Sequence, residues 1–388
     1  KYLFFNMIKS KTFLTIFFIS IIFLIFYRSP CYFLQEGFWQ INETHFFKYS
    51  LDNNFLDSML YVYPFGGYTE LTINIATTIG SYFPEFSILI DVFLALIIKL
   101  IIIFYIYFSK NNIFFDIKYK ITIICLILFS PPMTPEIWLT TLHAKAYFGI
   151  FSFLLLLQEV SRFKKYHFFF YRFAILFSGL SSIYACVFSP IFFLKYLIEK
   201  NKDNFVNFVY SLIPLLINFF LIFKYSLENN FISQNRFSFD IVKLESFSYN
   251  ILIRPFLGST IPKFFNQIFS LENFGFFIIS VLVISIFIIF SIYKSFKNKD
   301  KYIYIILAAF LMQSIFIIFG ALGDNFVGGR YAVIPGLIIL IFFLRLIQIE
   351  KRIFLKTLFI ILILSSLSIG LLEFKYLTPL PHILECKL

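Results

Sequence analysis

Residues 86–108 read FSILIDVFLALIIKLIIIFYIYF. Asp91 and Lys99 are the two charged residues in this run. As a helix rising about 1.5 Å per residue it would be roughly 35 Å long, enough to cross the ~30 Å hydrocarbon core of a bilayer. In lipid every backbone N–H and C=O has to be satisfied internally, and a helix does this within one segment. This stretch therefore decides the fold class, and similar runs recur along all 388 residues. Hydrophobic residues make up 60% of the chain and charged ones 14%, with a mean hydropathy of +0.86. The composition predicts an all-α, polytopic transmembrane helical bundle.

Outward from residues 86–108, the apolar runs predict crossings at 12–27, 119–130, 146–160, 205–223, 273–293, 302–320, 331–347 and 353–372. Between Arg162, Lys164 and Lys165 on one side and Lys195, Lys200 and Lys202 on the other, the chain is too short for two full crossings. The spacing predicts a broken or re-entrant pair turning near Gly179-Leu180-Ser181-Ser182, giving about 11 spans in one membrane domain, 1–388. Residues 68–83 are too polar for lipid and place Leu71, Ile75 and Ile79 on one face, the pattern of a short interfacial or half-buried helix.

The net charge of +12 reports topology and not nucleic acid, because the basic residues fall in short turns between apolar runs. With the N-terminus in the cytoplasm, 21 of the 33 Lys and Arg lie inside, as the positive-inside rule requires. The four cysteines show no metal spacing. The 61 phenylalanines, with many Ile, Lys and Asn, point to an AT-rich, bacterial coding sequence and so to a bacterial inner (cytoplasmic) membrane.

In this topology the polar residues gather on the outer face. The first outer loop, within 28–85, contains Glu36, Trp39, Glu43, His45, Asp52, Asp57 and Tyr68. The segment PPMTPEIWLTTLHAK (131–145) adds Glu136, Trp138, His143 and Lys145. A longer loop carries Arg254, and GALGDNFVGGRY (320–331) ends in Arg330 and Tyr331. The inner turns are short and basic, and neither a P-loop nor a dinucleotide fingerprint occurs in the chain. A cytoplasmic nucleotide-sugar or ATP site has nothing to be built from.

Five features together resemble the GT-C superfamily of polytopic membrane glycosyltransferases. They are a first span followed by a carboxylate-Gly pair (Glu36-Gly37), a Gly-Tyr helix start (Gly67-Tyr68), a Pro-x-x-x-Glu turn with an aromatic (Pro132, Glu136, Trp138), a Gly-Leu-Ser element ending in Pro190, and Arg330-Tyr331 opening a late span. The family's bacterial first loop reads Glu-Asp-Gly where this one reads Gln35-Glu36-Gly37. The resemblance implies transfer of a sugar from a polyprenyl-phosphate carrier to a glycan, lipid or protein acceptor at the outer leaflet. Glu36 would be the general base, since attack on an anomeric carbon needs a carboxylate to take the acceptor's proton. Arg330, with Lys145 and Arg254, would meet the departing phosphate. Glu43, Trp39, Tyr68, Glu136, His143 and Tyr331 would be possible substrate contacts. A requirement for a divalent cation, Mg2+ or Mn2+, stays open.

The same residues admit plainer readings. Glu36 and Glu43 also suit solvated loop carboxylates, Arg330 an interfacial anchor, His45 and His143 surface positions, and Trp39 and Trp138 an aromatic belt. Asp91 and Lys99, two turns apart, should face the bundle interior for packing or lipid-tail routing. Two other functions fit the class: a surface-polysaccharide polymerase or ligase, and a lipid-linked sugar flippase or transporter.

Overall fold

Where apolar residues run unbroken the chain is helical, and proline, glycine or charge ends each run. The computed structural model describes residues 11–28, 41–64, 66–109, 113–114, 116–130, 138–228, 248–258, 299–320 and 331–373, with isolated positions between 282 and 297. Among these residues there is no strand. The first span is α1 (Lys11–Arg28), and the first loop carries two helices of its own, α2 (Ile41–Asp52) and α3 (Phe55–Met59). Then follow α4 (Leu71–Tyr82), α5 (Ser87–Phe108), α6 (Ile117–Phe129) and α7 (Ala144–Leu156). The middle of the chain forms α8 (Lys165–Ser181), α9 (Ile183–Cys186), α10 (Ser189–Glu199) and α11 (Lys202–Glu228). A wide π-type turn, Ser248–Ile253, leads into α12 (Arg254–Leu257), and the last helices are α13 (Lys301–Gly320), α14 (Val333–Ile349) and α15 (Ile353–Leu372).

Four segments have the length and hydropathy of a membrane crossing: Pro84–Phe108, Lys202–Glu228, Lys301–Phe319 and Ile353–Leu372. Three shorter apolar helices, Thr15–Arg28, Ala144–Leu156 and Val333–Ile349, accompany them. The chain is a helical membrane protein. Its most buried helices are α7 and α14, which lie at the centre of one continuous apolar core. The outer faces of α1, α5, α11 and α15 expose Phe, Ile and Leu, as lipid-facing surfaces do.

Between the two basic clusters expected to bracket a broken pair, the chain forms two short helices, α8 and α10, on either side of α9. Seventeen residues of α8 and eleven of α10 reach about 25 and 16 Å, too little for two crossings of ~30 Å. The break falls at Ser182, whose backbone is extended (φ −155°, ψ 118°). Gly179 permits the close approach of α11, because a Cβ there would lie 2.7 Å from Cβ of Pro214. The side chain of Asn218, fully buried on α11, joins three elements. Its Oδ1 accepts from the Thr69 N–H (2.7 Å) and hydroxyl (2.9 Å), and its Nδ2 donates to the carbonyls of Gly179 (3.3 Å) and Pro214 (2.9 Å). Replacing Asn218 with Leu removes all of these at once. At about 1–3 kcal/mol for each buried group left unsatisfied, Asn218→Leu should unfold in detergent at a clearly lower temperature than wild type, and an unchanged melting curve would contradict this role.

Five polar turns meet at one end of the bundle. Lys195 Nζ donates to the carbonyls of Leu156 (2.7 Å) and Gln158, and Lys120 Nζ to those of Tyr107 (3.0 Å) and Ser109. Gln348 Nε2 reaches the Ile113 carbonyl (3.0 Å). Lys301 pairs with Glu199 (2.9 Å), Arg345 with Asp300 (2.6 Å), and Lys294 with Glu350. These are the turns whose lysines and arginines predict a common side.

The helix expected over 68–83 is α4, but its expected apolar stripe faces away from the protein. Ile73, Ala76, Thr77 and Gly80 are packed inward, while Leu71 and Ile75 are half-exposed and Ile79 is exposed. Small and hydroxyl side chains let α4 approach α2 and α5 closely and leave the bulky ones on its outer face. The predicted crossing at 273–293 lies largely outside the described residues.

Candidate functional site

At the end of the bundle away from the basic turns, the first loop and the segment 138–145 fold together. Gly67 adopts a left-handed conformation (φ 66°) that a side chain would disfavour, and the amides of Gly66 and Gly67 both donate to the Tyr63 carbonyl (2.9 and 2.8 Å). This turn aims Tyr68, Thr69 and Glu70 at the start of α7. There Lys145 Nζ lies 2.6 Å from Glu70 Oε1 and 3.2 Å from the Tyr68 hydroxyl. Both charged side chains are nearly buried, at 11% and 8% exposure. Ser182, at the helix break, donates its hydroxyl to the Lys145 carbonyl (2.6 Å), so the break and the ion pair are parts of one arrangement.

An aromatic wall stands beside the pair. Phe46, Ile73 and Leu142 form a small separate core with Tyr61 and Tyr63 packed against it, and Tyr49 stacks on Tyr61 at 3.9 Å between centroids. Burial, and after it the charge on Glu70, pushes the Tyr63 phenol above its ordinary value, so it stays a protonated donor at neutral pH. Burial likewise raises Tyr61. Asn74 donates to the carbonyls of Met59 (3.0 Å) and Tyr61 (2.8 Å), which fixes this wall to α4.

Segment 138–145 is held from below by charge. Asp91 accepts from the Thr141 hydroxyl and from its amide (3.3 Å), and Lys99 donates to the Trp138 carbonyl (2.7 Å). Lys99 Nζ also lies 3.2 Å from the centre of the Trp138 ring, and Arg28 Cζ lies 4.2 Å from it. The indole N–H of Trp138 donates to the Ile25 carbonyl (3.3 Å). A charge at mid-helix in a membrane costs about 2.5–3.5 kcal/mol on insertion scales. Here the cost is offset by backbone acceptors and an aromatic face. The interior position expected for Asp91 and Lys99 is therefore the observed one, and their partners are the backbone and side chains of this segment.

Of the other residues singled out in the sequence, Glu36, Trp39, Glu136 and Arg330 lie outside the described residues. Glu43 lies on α2, on the part of the loop that packs against α4. Arg254 opens α12, which packs against α14 and α15, and Tyr331 precedes α14 at the edge of the main core. His143 and Trp138 differ from the surface and belt positions their types suggest. Both are buried, at 2% and 1% exposure, because the charges of α1 and α5 draw the whole segment inward. Among the described residues, the structure joins two of the predicted ones, Tyr68 and Lys145, by a contact. Glu70 is the residue sequence reasoning missed. Its signal is a carboxylate two residues after the Gly67-Tyr68 turn in a chain where charge is scarce.

Among the described residues no three His, Cys, Asp or Glu side chains gather as a metal site, and the Glu70 carboxylate is engaged by Lys145. The described donors do not fit a divalent cation. No family model, curated protein or solved structure matches this chain.

Proposed function

We propose that this protein is a membrane glycosyltransferase of the GT-C kind, moving a sugar from a polyprenyl-phosphate carrier to an acceptor at the outer leaflet. The acceptor hydroxyl oxygen attacks the anomeric carbon with inversion as the bond from that carbon to the phosphate oxygen breaks. Glu36 takes the hydroxyl proton, and the carrier leaves as polyprenyl phosphate. Lys145 meets the charge that grows on this phosphate, with Arg330 and Arg254 as further cations. An ammonium has three donors, so Lys145 can hold Glu70 while it meets a phosphate oxygen.

The observation that carries this reading is the nearly buried Lys145, presented by Glu70 and Tyr68 where the first outer loop meets the start of α7. A cation fixed there by a carboxylate and a phenol needs no reorganisation when charge develops beside it. The aromatic wall of Tyr49, Tyr61 and Tyr63 suits a sugar ring, which stacks its apolar face on aromatics. The topology that goes with the reading has about 11 crossings of a bacterial inner membrane, with the Lys145 end facing the periplasm or exterior. The meeting of five basic turns at the opposite end supports it. Cells lacking the protein should accumulate a polyprenyl-phosphate monosaccharide, seen by mass spectrometry of extracted lipids, and an unchanged lipid pool would overturn the function.

A further inference from the structure

A groove of about 910 Å3 runs along the flank of the bundle, walled by α5, α7 and α8. Its α5 side extends from Leu94 to Phe108, roughly 21 Å along a helix axis. That exceeds the ~15 Å depth of one leaflet's hydrocarbon. The walls are largely Ile, Leu, Phe and Tyr, including Phe148, Phe151 and Phe177. Any such groove in a bilayer is wetted by hydrocarbon, so the informative part is its polar end.

At that end the lining changes to Ser109, Gln158, Lys164 and His167. Gln158 is 1% exposed, and its Oε1 accepts from the Ser109 hydroxyl (2.9 Å). Its Nε2 is buried and has no hydrogen-bond partner among the described residues. A buried amide donor without an acceptor costs about 1–3 kcal/mol, so a groove-lining glutamine in this state calls for an acceptor supplied from outside the chain. The backbone around it is fixed by two buried lysines, Lys195 on the Gln158 carbonyl and Lys120 on that of Ser109. The mouth therefore does not collapse to satisfy itself.

The charge around the mouth has one dominant sign. Residues 158–167 contain Arg162, Lys164 and Lys165 against Glu159 alone. Lys164 is exposed at the start of α8, where its backbone N–H bonds His167 Nδ1 (3.4 Å). This is also the end of the bundle at which all five basic turns meet. An amide donor and an ammonium above an apolar slot longer than a leaflet is deep match an anionic headgroup on a long acyl chain.

We propose that this groove is a binding site for an anionic glycerophospholipid. Its phosphate accepts from Gln158 Nε2 and pairs with Lys164, and one acyl chain lies along α5 and α8 toward Leu94 and Phe177. The site is separate from the transfer chemistry and stands whether or not that reading does. Its effect is to fill the seam between α8, the first half of the broken pair, and α5, which carries Asp91 and Lys99.

The test uses the full-length protein in detergent, titrated with phosphatidylglycerol or with phosphatidylcholine of the same chains, and reads retained lipid by native mass spectrometry. Phosphatidylglycerol should be retained at least ~10-fold better. Lys164→Glu should lower its retention by about fivefold or more, the effect of one basic residue at an anionic surface. Gln158→Leu should do the same while leaving phosphatidylcholine unaffected. Lys164 is exposed, so its variant tests the site even if Gln158→Leu fails to fold. Equal retention of the two lipids would overturn the proposal, as would selectivity that survives both substitutions. Displacement of phosphatidylglycerol by an equal concentration of polyprenyl phosphate would assign the groove to the carrier and overturn it too.

Discussion

Glu36→Gln should lower sugar transfer by at least the ~10²-fold typical of losing a general base, while membrane insertion and donor binding stay near wild type. Glutamine keeps the size and much of the hydrogen bonding of Glu36 but cannot accept a proton at working pH, so the loss should lie in turnover and not in binding. Glu36→Asp should recover part of the rate, because it keeps a carboxylate at a shorter reach. The assay is transfer by purified protein, with each variant matched for folded protein. If Glu36→Gln transfers at the wild-type rate, Glu36 is a loop residue, and Glu43 and Asp57 become the carboxylates to replace.

Lys145→Met should have two separable effects. Removing the cation leaves Glu70 nearly buried without its partner, and breaking a buried pair from one side costs about 3–5 kcal/mol. Transfer should fall as well, by about 10²- to 10³-fold if Lys145 stabilises the leaving phosphate, the range seen when one donor to a developing anion is lost. The double variant Lys145→Met/Glu70→Leu separates the two, since replacing both members of a buried pair with apolar residues is often neutral for stability. Thermal unfolding should return toward wild type while transfer stays low. Recovery of both in the double variant would make the pair a structural contact and leave Arg330 and Arg254 to meet the phosphate.

How far the sequence reached depended on the range of the interactions involved. The helices were legible because lipid imposes one requirement on every segment, and runs such as 86–108 and 353–372 satisfy it locally. The helix break at Ser182 was legible from simple length, since residues 165–199 are too few for two crossings and Gly179 to Ser182 lie midway. The purpose of Asp91 and Lys99 was only half legible. Their two-turn spacing placed them on one buried face, but their partners, Thr141 and Trp138, lie 50 and 39 residues away. The Lys145–Glu70 pair spans 75 residues. No periodicity carries such a pairing, and Glu70 was hidden at the edge of a helix chosen for its apolar stripe. That stripe shows the same limit, because 3.6-residue periodicity identifies a face and does not say whether protein or lipid covers it.

Cleavage of a lipid-phosphate sugar is read most directly as donor turnover by the purified protein in lipid nanodiscs. Polyprenyl-phosphate monosaccharides would be supplied with an acceptor glycan extract, and the released polyprenyl phosphate quantified. Wild type should release polyprenyl phosphate only when acceptor is present, and Glu36→Gln should release it at least ~10²-fold more slowly. Equal release by wild type, by Glu36→Gln and by empty nanodiscs would contradict the transferase reading.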